Sequence, residues 1–288
     1  MDRRAVAMGI LFALMWASAF TSARIIVQAA PPLTALALRF LISGLVGVIW
    51  AKAIGQSWHL TRKQWIAVAV FGICQNALYL GMNFVAMQTV EASLASIIAS
   101  AMPLCVALAG WALFGQKLPM QGLLGLIAGV AGVVLIMGTR LSGGADLTGV
   151  IFCLIGLASL STATLSVQGA SSGGNYLMIV GLQMLIGSAA LWVPAIALET
   201  FSVDLTWQVA VAFLYTTLVP GLAATLVWVM LVNRIGTVRA SVFHFLSPFF
   251  GVAIAAVVLG EAIGASDLVG VAIIAAGILA VQLARQKG

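Results

Sequence analysis

"ASLASIIASAMPLCVALAGWALFGQKL" (Ala92–Leu118) and "ASVFHFLSPFFGVAIAAVVLGEAI" (Ala240–Ile263) are apolar runs that each carry one internal proline. Proline removes a helix N–H and clashes with the preceding turn, so it interrupts a plain spanning helix. A shift of 145 residues lays Ala95-Ser96 on Ala240-Ser241, Pro103 on Pro248 and Gly115 on Gly260, and the register continues with Gly125 on Gly270 and Gly132 on Gly277. A shift of 140 aligns the earlier parts, Gly9 with Gly149, Phe12 with Phe152 and Val27-Gln28 with Val167-Gln168. The chain reads as two copies of one unit, residues 1–144 and 145–288.

Composition says where such a chain lives. It is 63% hydrophobic and 7% charged, against roughly 25% charged in soluble domains. That leaves too little charge to cover a water-facing surface. The net charge of +6 sits on basic residues scattered at the ends of apolar runs, without the patch that nucleic acid requires. Cys74, Cys105 and Cys153 lie far apart with no CxxC pair or nearby histidine, so they read as buried small residues and not as a zinc or disulfide framework.

A spanning helix needs about 20 predominantly apolar residues. Segmentation at charges, Pro-Pro and Gly/Ser clusters predicts an all-α integral membrane protein with ten transmembrane helices, near 5–27, 32–54, 64–87, 91–114, 119–139, 147–168, 175–198, 207–231, 239–260 and 267–284. The first run resembles a signal peptide, with "ASA" at Ala17–Ala19, but it is long enough to span and reads as a retained helix. With both termini cytoplasmic, the inner loops hold Arg3, Arg4, Lys52, Arg62, Lys63, Lys117, Arg234, Arg239, Arg285 and Lys287, while Glu91, Asp146, Glu199, Asp204, Glu261 and Asp267 fall at outer ends. Arg24 and Arg140 lie outside and Arg39 lies within a span. That bias obeys the positive-inside rule. Five spans per copy is an odd number, so the second copy inserts upside down. Inverted repeats with paired Gly/Pro interruptions are the plan of many secondary transporters. Pro103 and Pro248 are therefore candidate helix bends or gating positions.

Several stretches resemble one family. "WASAF" (Trp16–Phe20) looks like its WG-x-x-F signature with Ala17 for Gly, "PPLTALALRF" (Pro31–Phe40) like its P…RF segment, and "LGEAI" (Leu259–Ile263) like its GE-x-L box, in which Gln116 replaces Glu in the first half. The chain resembles the EamA family of the drug/metabolite transporter superfamily over essentially its whole length, and is most similar to the YddG-type amino-acid exporters. The resemblance implies a central cavity lined by spans one to four and six to nine, with the fifth and tenth peripheral. It implies export of neutral and aromatic amino acids across a bacterial-type inner membrane by alternating access. The alternatives are a permease for another small neutral solute and a channel-like facilitator.

Polar side chains at membrane depth are site candidates by default. Gln75, Tyr79 and Asn83 recur every four residues on one helix face, with Asn76 beside them. They are either a cavity wall or interhelical glue. Arg39 either snorkels outward or grips a substrate carboxylate. His244, one turn before Pro248, is either a polar wall group able to titrate or a structural histidine. Trp16 and Phe20 either stack on an apolar substrate or pack the bundle, and Trp228, the counterpart of Asn83, is similarly open. Ser159, Thr162 and Ser166 form a weaker hydroxyl face. Gly122, Gly125, Gly129 and Gly132 form a small-residue stripe, which predicts close packing within a monomer, with dimerisation as the alternative. No carboxylate lies at mid-depth, which favours a facilitator over a proton-driven pump, unless His244 or Tyr79 handles protons. No nucleophile–base set, metal cluster or phosphate loop supports an enzyme, a cofactor or a metal. The partners expected are the bilayer and a small neutral or zwitterionic solute such as an amino acid.

Overall fold

The structure, a computed structural model, describes residues 3–114, 119–166, 174–236, 240 and 242–287. Gly115, Gln116, Lys117, Val167, Gln168, Arg239 and Ser241 lie outside the described residues, as do the side chains of Ser166, Arg285 and Lys287. The described chain is all helical, and ten segments follow the ten expected spans. They are α1 (Arg3–Val27), α2 (Pro32–Ala53), α3 (Arg62–Ala86), α4 (Ala92–Ser100 and Met102–Phe114), α5 (Met120–Ser142), α6 (Leu147–Ser166), α7 (Tyr176–Leu198), α8 (Trp207–Ile235), α9 (Val242–Leu246 and Ser247–Leu259) and α10 (Ala265–Lys287). All but α9 are long and apolar enough to cross a membrane. In α9 the first five residues form a stretched 3₁₀ turn, and with its larger rise the two pieces together reach about 30 Å.

Local chemistry sets the ends. Thr61 and Gln64 form a reciprocal capping box at α3, and the Thr206 hydroxyl accepts from Val209 N–H at α8; both satisfy first-turn donors. Elsewhere the cap comes from a distant helix. The Glu199 carboxylate, just past α7, accepts from Leu33 N (2.7 Å), Thr34 N (2.8 Å) and Thr34 Oγ1 (2.7 Å) at the start of α2. Glu261, past α9, accepts from Ala92 N (2.8 Å) and Ser93 N (2.9 Å) at the start of α4. A carboxylate on exposed N-terminal N–H groups is favoured by charge as well as by hydrogen bonding. At the opposite, proximal end of the bundle (the Arg3 end), Gln56 Oε1 accepts from Met178 N of α7 at 3.0 Å.

Packing follows a rule: helix n sits where helix n + 5 sits in the other half. α2 lies along α7 and α5 along α10; α1 on α9 matches α6 on α4, and α3 on α6 matches α8 on α1. Glycine permits the closest approach. A Cβ built on Gly277 would lie 2.6 Å from Gly125 O and 2.7 Å from Gly129 Cα, so α5 and α10 touch backbone to backbone. Gly132 of the same stripe meets Ile274 and Gly270 of α10, and Gly129 also meets Leu104 of α4.

The prolines act differently from a simple bend in a continuous helix. α4 breaks at Ala101 and α9 changes from 3₁₀ to α at Ser247, so Pro103 and Pro248 each stand in the first turn of a new helical piece. There the missing N–H leaves no intrahelical bond unmade. A second pair of irregularities was not anticipated. α3 widens into π-helix over Gly72–Tyr79 and α8 over Thr217–Ala223. The two starts are again 145 residues apart, and such π segments are frequent at functional sites.

Candidate functional site

α1, α2, α3 and α8 enclose a compartment in the distal half of the bundle, away from the Arg3 end. Trp16 and Phe20 come from α1, Arg39 and Phe40 from α2, Gln75, Asn76, Tyr79, Asn83 and Phe84 from α3, and Pro220, Gly221 and Thr225 from α8. A second compartment lies in the proximal half, lined by Phe12, Trp16, Gln75, Met102, Trp228 and His244 among others. Trp16 and Gln75 border both, so the two compartments are neighbours with a shared partition. The partition is aromatic: the Trp16 and Tyr79 rings lie parallel, 4° apart in plane, with centroids at 6.2 Å. Below it His244 sits among Phe12 (5.3 Å), Trp228 (5.1 Å) and Trp16 (6.0 Å), its ring steeply inclined to all three. Each compartment has a volume of about 30 Å³, space for roughly two water molecules. A solute of amino-acid size enters only if the helices part.

Three residues of the distal compartment carry unpartnered polar atoms. Arg39 Nη1, Tyr79 Oη and Asn83 Oδ1 are buried without a hydrogen-bond partner, a costly state unless something pairs with them. Arg39 is 3% exposed and does not snorkel. Its Nε donates to Thr216 O of α8 at 3.0 Å, and its guanidinium carbon stands 5.0 Å from the Phe40 ring and 6.0 Å from the Phe84 ring. Cation–π contact helps to hold a charge at that depth.

The π segment explains the neighbouring polar groups. Widening a helix changes which donor reaches each carbonyl, and side chains supplement them here. Asn83 Nδ2 donates to Tyr79 O at 2.8 Å, which leaves its Oδ1 as a free acceptor. Ser159 of α6 donates to Cys74 O at 2.8 Å. Asn76 Nδ2 donates to Gln183 O of α7 at 3.0 Å, so this member of the polar stripe also ties helices together. Thr162 bonds back to its own Ala158 O at 3.0 Å. Seven of the sequence-derived candidates (Trp16, Phe20, Arg39, Gln75, Asn76, Tyr79 and Asn83) line the distal compartment, and His244 lines the proximal one. Pro103 and Pro248 line neither. Sequence reasoning missed Phe40, Phe84, Pro220, Gly221 and Thr225. Pro220 was the discoverable one, a proline inside an apolar run 145 residues after Gln75.

The distal end of the bundle is braced by charge. The Arg140 guanidinium of α5 pairs with Glu91 and, at 2.7 Å, with Asp267 of α10. Arg24 donates to the carbonyls of Met87 and Val90, the latter at 3.0 Å. The two basic residues expected at this end therefore both have partners. Asp146, in the loop before α6, accepts from Thr89 Oγ1 (2.7 Å), Gly149 N (3.0 Å) and Thr148 N (3.1 Å). These bonds, the Thr89 bond first, hold its carboxyl below the usual carboxylate range.

Ten spans in two pseudo-symmetric halves around two adjoining internal compartments fit a multi-pass integral membrane transporter. The EamA-like transporter family model matches residues 3–138 and again 147–283, and the chain belongs to that family. An uncharacterized transporter of Bacillus subtilis, YvbV, is 25% identical over 92% of this chain and 87% of its own length. An uncharacterized inner membrane transporter of Escherichia coli, YedA, is 28% identical over 94% of this chain and 87% of its own length. The aromatic amino acid exporter YddG of Ancylobacter novellus is 31% identical over 139 residues, 48% of each protein. A crystal structure with a TM-score of 0.71 and 22% identity, covering 100% of this chain and 99% of that one, has the same fold.

Proposed function

We propose that the chain is a secondary carrier that exports neutral and aromatic amino acids by alternating access, with residues 1–144 and 145–288 as its two moving five-helix repeats. One observation carries the reading: Arg39, Tyr79 and Asn83, whose Nη1, Oη and Oδ1 are buried without partners, line one aromatic-walled compartment. Arg39 and Tyr79 donate to a carboxylate, Asn83 Oδ1 accepts from an ammonium, and Trp16, Phe20, Phe40 and Phe84 suit an apolar side chain. The single cation and the absence of an acid among the described lining residues disfavour polyanions and quaternary cations. The basic residues of the proximal end support both termini being cytoplasmic in an inner membrane, and the glycine-mediated closure of α5 on α10 supports a monomer. Without a carboxylate at mid-depth, flux runs down the amino-acid gradient.

A panel of radiolabelled amino acids in proteoliposomes tests this directly. The expected result is saturable flux of phenylalanine and other neutral amino acids without an imposed proton gradient. Transport of none of them, or flux only when a proton gradient is applied, overturns the substrate class or the energy coupling respectively.

A further inference from the structure

Pro220 stands four residues after Thr216. In an α-helix the N–H of residue 220 would donate to the Thr216 carbonyl, and proline has none. Thr216 is fully buried in a spanning helix, where backbone carbonyls depend on donors from the protein. The helix widens into its π segment at the next residue, Thr217, where the i→i+5 register gives the Thr216 carbonyl the Gly221 N–H instead, and Arg39 of α2 adds Nε–H as a second donor to Thr216 O at 3.0 Å. Arg39 Nη2 meanwhile lies against the same segment, 3.3 Å from where a Cβ on Gly221 would sit. The matching segment of α3 contains no proline, and the carbonyls that side chains serve there, Cys74 O and Tyr79 O, are served by the neutral Ser159 and Asn83. One guanidinium therefore holds the α8 backbone with its Nε edge while its Nη1 is buried without a partner, and the residue lines the distal compartment.

We propose that Arg39, while binding the carboxylate, couples occupancy of the distal compartment to the π segment of α8. This rests on the carrier reading of that compartment. A carboxylate seeks two parallel guanidinium N–H bonds; taken end-on through Nη1 and Nη2, it draws the group away from Thr216 and Gly221. The Thr216 carbonyl then loses its side-chain donor and the π segment is free to change register. The turn that follows carries Trp228, which walls the proximal compartment with Phe12 and His244. Occupancy on one side of the partition is thereby transmitted to the other side.

The test uses the full-length chain with Arg39→Met, Pro220→Ala and the double variant. The Pro220→Ala substitution restores the N–H that lets α8 close on the Thr216 carbonyl in α register, so its backbone no longer depends on the π register that Arg39 braces. In detergent without substrate, Arg39→Met is expected to lower the melting temperature of the wild type at least about twofold more than that of Pro220→Ala, the non-additivity expected of coupled groups. Equal shifts in both backgrounds overturn the link whatever the substrate. In proteoliposomes Pro220→Ala is expected to keep KM within about twofold while its maximal rate falls about tenfold, the mark of lost transmission with binding kept. A wild-type maximal rate in Pro220→Ala overturns the coupling role even if the melting shifts are non-additive. The carrier reading itself is judged separately, by the wild-type substrate panel.

Discussion

Replacing Tyr79 by Phe removes a single oxygen, and the two roles available to that oxygen predict opposite results. Tyr79 is fully buried, and its Oη has no partner. A buried hydroxyl left unpaired costs about 1–3 kcal/mol, while phenylalanine keeps the ring that faces Trp16 at 6.2 Å. The variant should therefore be at least as stable as the wild type, and up to about 1 kcal/mol more stable, a rise of about 2–4 °C in melting temperature. If Oη donates to a substrate carboxylate, transport loses a hydrogen bond to a charged group, about 1.5–3 kcal/mol. KM for phenylalanine should then rise about ten- to hundredfold. Melting in detergent and initial-rate uptake in proteoliposomes measure the two sides. A KM unchanged within about twofold refutes substrate contact, and a fall of more than about 4 °C in melting temperature refutes the unpaired hydroxyl.

Trp16→Ala removes the wall shared by the two compartments, and the expected result is a non-saturable leak of small neutral solutes added to a weakened saturable component, read from flux against concentration. Gly277→Leu places a Cβ 2.6 Å from a backbone oxygen that cannot yield, so α10 must separate from α5 at a cost of about 1–3 kcal/mol. Gly138→Ala meets nothing within 4 Å and should be neutral or stabilising by up to about 1 kcal/mol; melting temperatures of the two variants check the contrast. Asp146 has a folded-state pKa below its ordinary 3.8, so its contribution is fully present at neutral pH and is lost as pH falls through the ordinary carboxylate range and below it. Thr89→Val removes the leading cause of that shift, and melting scans toward acid pH should show less loss of stability in the variant than in the wild type.

Hydropathy and charge spacing made the ten spans legible, because length and apolarity are properties of the residues themselves. The 145-residue register went further. It paired Pro103 with Pro248 and anticipated interruptions in α4 and α9, although not that each proline would begin a new helical piece. The π segments of α3 and α8 were hidden because hydrogen-bond register leaves no trace in an apolar run; Pro220 was the only local sign. The polar stripe Gln75–Asn83 was readable at spacing four, but its division of labour was not. Which of Asn76, Tyr79 and Asn83 is spent on helix carbonyls depends on where Gln183 of α7 and the widened turn fall. Arg39 shows the same limit from the other side. Its presence in a span was plain, but its choice between snorkelling and staying inside was settled by Thr216, 177 residues away. Glu199 and Glu261 were visible as acids at helix ends, whereas the N-termini they cap belong to helices of the other half.

Counterflow distinguishes a saturable site that binds an amino acid between the two halves from an open pore. Proteoliposomes loaded with unlabelled phenylalanine and diluted into a trace of labelled phenylalanine should transiently accumulate label above equilibrium, and excess external neutral amino acid should abolish the overshoot. Flux that rises linearly with concentration and shows no overshoot for any amino acid would contradict the saturable site.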